Sequence, residues 1–153
     1  MNTIEISAFK SELDNLNNCY YKLLIVCGAN RDPMFTEMIE DLKIPTINLN
    51  LELSKALLEI PINRRSRKVR EIVEKIIWDC HSNKIYFNHI ELLFHPDLNQ
   101  DPLKLFLPLS RNKTLIISWT GEYKSGILTF AEFGHPEYKA YREVEAKIIS
   151  IGE

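Results

Sequence analysis

Apolar residues recur along this chain in two alternating rhythms, and the alternation predicts an α/β fold. Ile6, Phe9, Leu13, Leu16 and Tyr20 stand three and four residues apart, the period of one helix face, so the spacing predicts an amphipathic helix over 4–20. The unbroken apolar run Leu23–Cys27 then predicts a buried strand. Met34, Phe35, Met38, Ile39 and Leu42 return to helical spacing. Pro45 opens a second strand, Thr46–Asn50, and Leu53, Leu57 and Leu58 mark a short helix that stops before Pro61. Val69, Ile72, Val73, Ile76, Ile77 and Cys80 mark a longer helix with its charges on the other face. Lys84–Asn88 is the third strand. Asp101-Pro102 starts a helix with a carboxylate cap and Pro at the first helical position, ending around Pro108 to Asn112. Thr114–Trp119 is the fourth strand. Glu122–Ser125 turns the chain back into a further strand, Ile127–Phe133, which Gly134-His135-Pro136 breaks. Val144–Ile151 fits helix or strand and is read here as a last strand. Strands separated by helices imply a mostly parallel sheet of about five strands covered on both faces, a three-layer arrangement.

Composition changes this picture little. One hundred and fifty-three residues suit a single domain, 1–153, with the amphipathic helix packed on its core. A net charge of −2 means that no global field draws the chain to nucleic acid or membrane, so any such contact needs a local patch. Cys19, Cys27 and Cys80 lack metal-ligand spacing and read as buried thiols in a reduced, cytoplasmic compartment. The amino terminus lacks an apolar signal core, and no run approaches the ~20 apolar residues that span a bilayer. His81, His89, His95 and His135 lack the spacing of a zinc site, so no metal is expected on them.

Candidate chemistry begins where the first strand ends. Strand, loop and helix follow one another through Gly28-Ala29-Asn30-Arg31-Asp32-Pro33-Met34-Phe35-Thr36, the layout in which a phosphate-binding P-loop sits. Gly28 fills the first position of G-x-x-x-x-G-K-[ST]. Pro33 stands at the second Gly, Met34 at the Lys and Phe35 at the hydroxyl. A thioether offers the phosphates no proton and no charge, and Pro33 removes a backbone donor. A hydrogen bond to a charged group is worth roughly 1.5–3 kcal/mol, so ordinary hydrolysis is not expected. Arg31 is a substitute cation, and Thr36 lies one residue late for a metal. A Gly at a strand-to-helix turn is also common without any ligand. Asn88, at the end of the third strand, occupies the position of the Asp that orders Mg²⁺, and Glu91 follows as a candidate base. The plainer reading makes Asn88 a turn cap and Glu91 a surface carboxylate. Ligands of parallel sheets sit at the carboxyl ends of the strands, where Gly28, Asn88 and Thr120 are expected to gather. Thr120 is the candidate sensor of a terminal phosphate.

Two further constellations remain. Arg64, Arg65, Arg67, Lys68 and Arg70 form a dense basic cluster suited to DNA phosphates, or to a solvated face paired with Glu71 and Glu74. Arg111, before the fourth strand, is a candidate arginine finger toward a neighbouring subunit, or the holder of a local salt bridge.

Several longer segments carry a resemblance. Thr46-Ile47-Asn48-Leu49-Asn50-Leu51-Glu52-Leu53-Ser54-Lys55-Ala56-Leu57-Leu58 resembles part of the BrxF family, the small P-loop proteins of type-three bacteriophage exclusion (BREX) defence systems. Ile90-Glu91-Leu92-Leu93-Phe94, Asp101-Pro102-Leu103-Lys104-Leu105, Leu109-Ser110-Arg111-Asn112-Lys113-Thr114 and Ala131-Glu132-Phe133-Gly134-His135-Pro136-Glu137-Tyr138 are similar too. The resemblance implies a P-loop NTPase-like fold and a cytoplasmic phage-defence protein. It implies partners among other defence proteins, including a large ATPase and DNA-modifying machinery. Many members of that family keep the Gly-Lys-Thr end of the loop and an Asp at the position of Asn88, and this sequence departs at both. The leading expectation is therefore a degenerate P-loop subunit acting through protein contacts. The alternatives are an active ATPase in an AAA-like ring, using ATP or ADP with Mg²⁺ as a homo-oligomer, or a DNA-binding accessory.

Overall fold

The computed structural model describes residues 1–131 and 134–152. In chain order its elements are helix α1 (Thr3–Asn15), strand β1 (Leu23–Cys27), α2 (Pro33–Asp41), β2 (Thr46–Asn48), α3 (Leu49–Leu58) and α4 (Arg65–Asp79). Then come β3 (Lys84–His89), α5 (Pro102–Leu109), β4 (Thr114–Trp119), β5 (Glu122–Lys124), β6 (Ile127–Phe130), β7 (Lys139–Arg142) and β8 (Lys147–Ser150). A five-stranded sheet has the order β2-β3-β4-β1-β8, and each of its pairings is parallel. Strands β5, β6 and β7 form a separate antiparallel sheet. No helix among the described residues is long and apolar enough to cross a membrane.

Side-chain alternation along the strands divides the core between two faces. Leu23, Ile25, Ile85, Phe87, Leu115, Ile117 and Trp119 point to one face, where Leu49, Leu53, Val69, Val73, Ile77 and Phe106 of α3, α4 and α5 cover them. Leu24, Val26, Tyr86 and Ile116 point to the other, under Phe9 and Leu13 of α1 and Phe35, Met38 and Ile39 of α2. Both faces are covered, which is why the central strand β1 is apolar throughout. Strand β4 is buried at all six positions.

Several expected boundaries move, for local reasons. The helix expected over 4–20 ends at Asn15, and a 3-10 turn follows at Leu16–Asn18. The strand expected to reach Asn50 stops at Asn48, because the Asn48 side chain accepts the Leu51 N–H (3.1 Å) and so starts α3. Glu122–Lys124 is a strand rather than a turn; the reversal lies at Ser125 and Gly126, with φ of 52° and 75°. Strand β6 ends at Phe130, and Glu132 and Phe133 lie outside the described residues. The strand β7 was not expected. Its residues are exposed or half-exposed, so they lack the apolar run that marks a core strand.

Candidate functional site

The chain leaves β1 toward α2 on one face, whereas the connections after β2, β3 and β4 run over the other. The carboxyl ends of β1 and β4 are therefore a topological switch point, where loops part and leave a crevice. Gly28, Asn30, Arg31, Trp119 and Thr120 line that crevice, whose volume is about 90 Å³. Small-molecule sites usually offer ~300–1,000 Å³, so this one has room for a phosphate-sized group and not for a nucleoside.

The loop after β1 is a tight turn in which several backbone donors are already committed. Ala29–Arg31 is a 3-10 turn; the Arg31 and Asp32 N–H groups donate to the Gly28 and Ala29 carbonyls, each at 3.2 Å. Asp32 caps α2: its Oδ1 accepts the Met34 N–H at 3.0 Å and its backbone carbonyl accepts the Phe35 N–H at 3.1 Å. Pro33 has no N–H to offer. The helix amino end that would hold a phosphate thus already holds a carboxylate. The chain-terminal ammonium of Met1 reaches Asp32 Oδ2 at 2.6 Å and neutralises it. Gly28 has a structural duty of its own. Its φ is +91°, and a Cβ there would stand 2.2 Å from the Ile151 carbonyl oxygen.

That ammonium holds the Asp32 carboxyl below its usual range, helped by the Met34 N–H and opposed by burial. A depressed carboxyl contributes stability above its unfolded pKa of 3.8, and that contribution disappears as pH falls through the lower folded value. Asp32→Ala, which also removes the cap, is expected to cost about 1 kcal/mol at neutral pH. Urea titrations should show the deficit shrinking below about pH 4. An undiminished deficit in acid would assign the effect to packing.

Asn88 is tied to the loop that lines the crevice. Asn30 Nδ2 donates to its carbonyl at 2.8 Å, tying the loop to the end of β3. Pairing between β2 and β3 slips here: Ile47 opposes Phe87 and Asn48 opposes His89, which leaves Asn88 extra. Such bulges re-aim side chains and cluster beside functional sites. Phe87 pairs with Ile117, so the next residues, Asn88 and Ser118, come side by side at the ends of β3 and β4. Asn88 Oδ1 and Ser118 Oγ are both buried without a hydrogen-bond partner among the described residues. Burial pushes the nearby Tyr86 phenol up to about 12; Ser118 opposes that rise but lies outside hydrogen-bonding geometry. Buried orphan oxygens at adjacent positions call for a water, an ammonium or a cation.

Other expected residues lie elsewhere. Phe35 is fully buried, edge-on to Phe9 (5.2 Å) and Tyr86 (5.3 Å). Met34 and Thr36 are exposed on α2. Glu91 stands on the side of β3 away from β1, where Asn50 Nδ2 donates to its Oε2 at 2.9 Å and His89 Nδ1 is 3.7 Å from Oε1. Arg111 is at the amino end of β4, opposite the crevice, with its guanidinium 4.3 Å over the Tyr20 ring. In the basic cluster, Lys68 pairs with Glu71 and Arg70 with Glu74, while Arg65 Nε donates to the Ile60 carbonyl. Arg64 and Arg67 are exposed, without an acidic partner among the described residues. Burial pushes the Cys27 thiol up to about 11, which favours its neutral form. No group of three His, Cys, Asp or Glu is placed for a metal among the described residues.

Ser118, beside the crevice, gave no warning as chemistry, and Asp32 reads in the sequence only as one position of the candidate loop. Ser118 reads as one polar position in an apolar strand. Asp32-Pro33 carries the same capping signal as Asp101-Pro102, and read that way it marks the start of α2. Comparisons with protein-family models, with curated proteins and with solved structures give no match.

Proposed function

We propose that this protein is a degenerate P-loop-type subunit of a bacterial anti-phage defence system, acting in the cytoplasm mainly through protein contacts. The observation that carries the loss of catalysis is Asp32. Its carboxylate caps the helix end that a nucleotide's phosphates would need, and the crevice beside it holds about 90 Å³. The P-loop ancestry draws support from the loop-bearing strand at a switch point of a parallel sheet, with β4 between it and the strand that carries Asn88. The defence role rests on the resemblance of the segments around residues 46–58, 90–94 and 101–105 to BrxF proteins.

A second reading, residual binding of nucleotide or Mg²⁺, is favoured by the orphan oxygens of Asn88 and Ser118 and by Arg31 at the crevice. Calorimetric titration with ATP and ADP, with and without Mg²⁺, separates the two. Our reading expects no saturable heat below about millimolar nucleotide, which corresponds to ~4 kcal/mol of binding or less. Micromolar, Mg²⁺-dependent binding with turnover lost in Glu91→Gln would replace it with the ATPase reading. Deleting the gene from its host is expected to raise phage plating efficiency, and restoration by the Met34→Ala chain would fit a non-hydrolysing subunit. Unchanged plating across a phage panel removes the defence assignment.

A further inference from the structure

A groove of about 370 Å³ runs between the end of α3 and the segment that follows β3. Leu57, Leu58 and Ile62 form one wall, Leu92 and Leu98 the other, and Arg65 stands at its lip. Leu58 and Ile62 are 77% and 78% exposed, an unusual state for aliphatic side chains on neighbouring turns. Gln100 Nε2 donates to the Ser66 carbonyl at 2.8 Å, so the two walls are joined at one end and the groove is preformed.

Charge decides what fits. Exposed Arg64 and Arg67 flank Arg65 and carry the charge left unpaired among the described residues, while Lys68 and Arg70 are paired with Glu71 and Glu74 and add little net charge. Helix α4 starts among these cations with no side-chain cap and no acidic residue in its first turn, so its dipole adds to the positive potential. The opposing charge in the lining is Asp97, whose N–H donates to His95 Nδ1 and whose carboxylate is 3.8 Å from that nitrogen. Glu59 adds a second carboxylate nearby in the chain. Duplex DNA would use the cations but has no use for a groove walled by aliphatic side chains. An amphipathic peptide uses both.

We propose that this groove docks an acidic, amphipathic segment of a partner protein, its aliphatic side chains seated against Leu58, Ile62 and Leu98 and its carboxylates against Arg64, Arg65 and Arg67. The inference rests on the protein-contact half of the function proposed above, and it holds whether or not nucleotide binds.

The probe is a fluorescein-labelled helical peptide with leucines at i, i+4 and i+7 and glutamates between them. Its companions are a version with lysine for glutamate, a version with serine for leucine, and a duplex DNA. Anisotropy titration of the full chain should show saturable binding of the Leu/Glu peptide alone. Leu58→Ser with Ile62→Ser, and separately Arg64→Ala with Arg67→Ala, should each weaken it by about tenfold or more. All four side chains are exposed, so the variants should melt like the parent, and a thermal scan checks this. The proposal is overturned if the Leu/Glu peptide does not bind, if both variants bind it unchanged, or if the lysine version binds equally well. DNA binding that ignores Leu58 and Ile62 while needing Arg64 and Arg67 would assign the surface to nucleic acid instead. None of these outcomes depends on nucleotide titrations or plating, so a failure here is distinct from a failure of the wider reading.

Discussion

Trp119→Ala is expected to lower the unfolding free energy by about 3–5 kcal/mol, a large fraction of the ~5–15 kcal/mol that holds a domain together. Trp119 is 1% exposed at the end of β4 and joins the two sheets. Its ring is edge-on to Phe94 at 5.3 Å, to Phe130 at 6.1 Å and to Tyr141 at 6.1 Å. Phe94 and Phe130 in turn stack at 3.7 Å. Its indole Nε1 donates to the Thr129 carbonyl at 2.9 Å, so the truncation leaves both a cavity and an orphan acceptor. Trp119→Phe separates the two. It keeps most of the packing and removes the donor, and should cost about 1–3 kcal/mol. Urea unfolding of both variants measures this directly. A loss under about 1 kcal/mol for Ala would mean that the antiparallel sheet is not docked through this residue.

Gly28→Ala is the second large effect, and it tests what the glycine is for. The side chain must adopt a φ of +91° and would meet the Ile151 carbonyl oxygen at 2.2 Å. Ile151 cannot easily retreat, because its N–H donates to the Cys27 carbonyl at 2.9 Å and β8 pairs with β1 along Leu24–Cys27. Gly126→Ala is the control, with φ of +75° and nothing within 4 Å of the added Cβ. The control should lose about 1–3 kcal/mol from backbone strain alone. Gly28→Ala should lose that and more, with hydrogen-exchange protection falling first in β8. Equal losses in the two variants would show that the approach of Ile151 relaxes without cost. If Gly28→Ala behaves as expected, the glycine is explained without any phosphate.

Much of the fold was legible because burial leaves a local trace. Each of β1, β3 and β4 is an apolar run, since strands covered on both faces have no polar side to show. Helices α2 and α4 declare themselves by period, and α5 by Asp101-Pro102. Legibility failed where a single polar side chain outvoted the pattern. Asn48 ends β2 by capping α3, and Asp32, inside the candidate loop, starts α2 by capping it. The candidate site was half legible. Gly28, Asn30, Arg31, Asn88 and Thr120 were readable as residues that follow or end strands. Nothing local tells that Glu91 bonds Asn50, or that Arg111 stacks on Tyr20 at the opposite end of the sheet. Those partners lie 41 and 91 positions away in the chain.

By itself, the sequence determined the α/β class, the strands that fill the core and the absence of a Lys at position 34 and a hydroxyl at position 35 of the loop. Those properties are written in residue type and spacing. Only the tertiary structure decided that β4 lies between β1 and β3, that Asn88 Oδ1 and Ser118 Oγ are buried without a partner among the described residues, and that Ile151 closes over Gly28. It alone set Leu58 and Ile62 in one groove with Leu92 and Leu98. Strand order and groove walls come from contacts between distant segments, and such contacts leave no period in the chain.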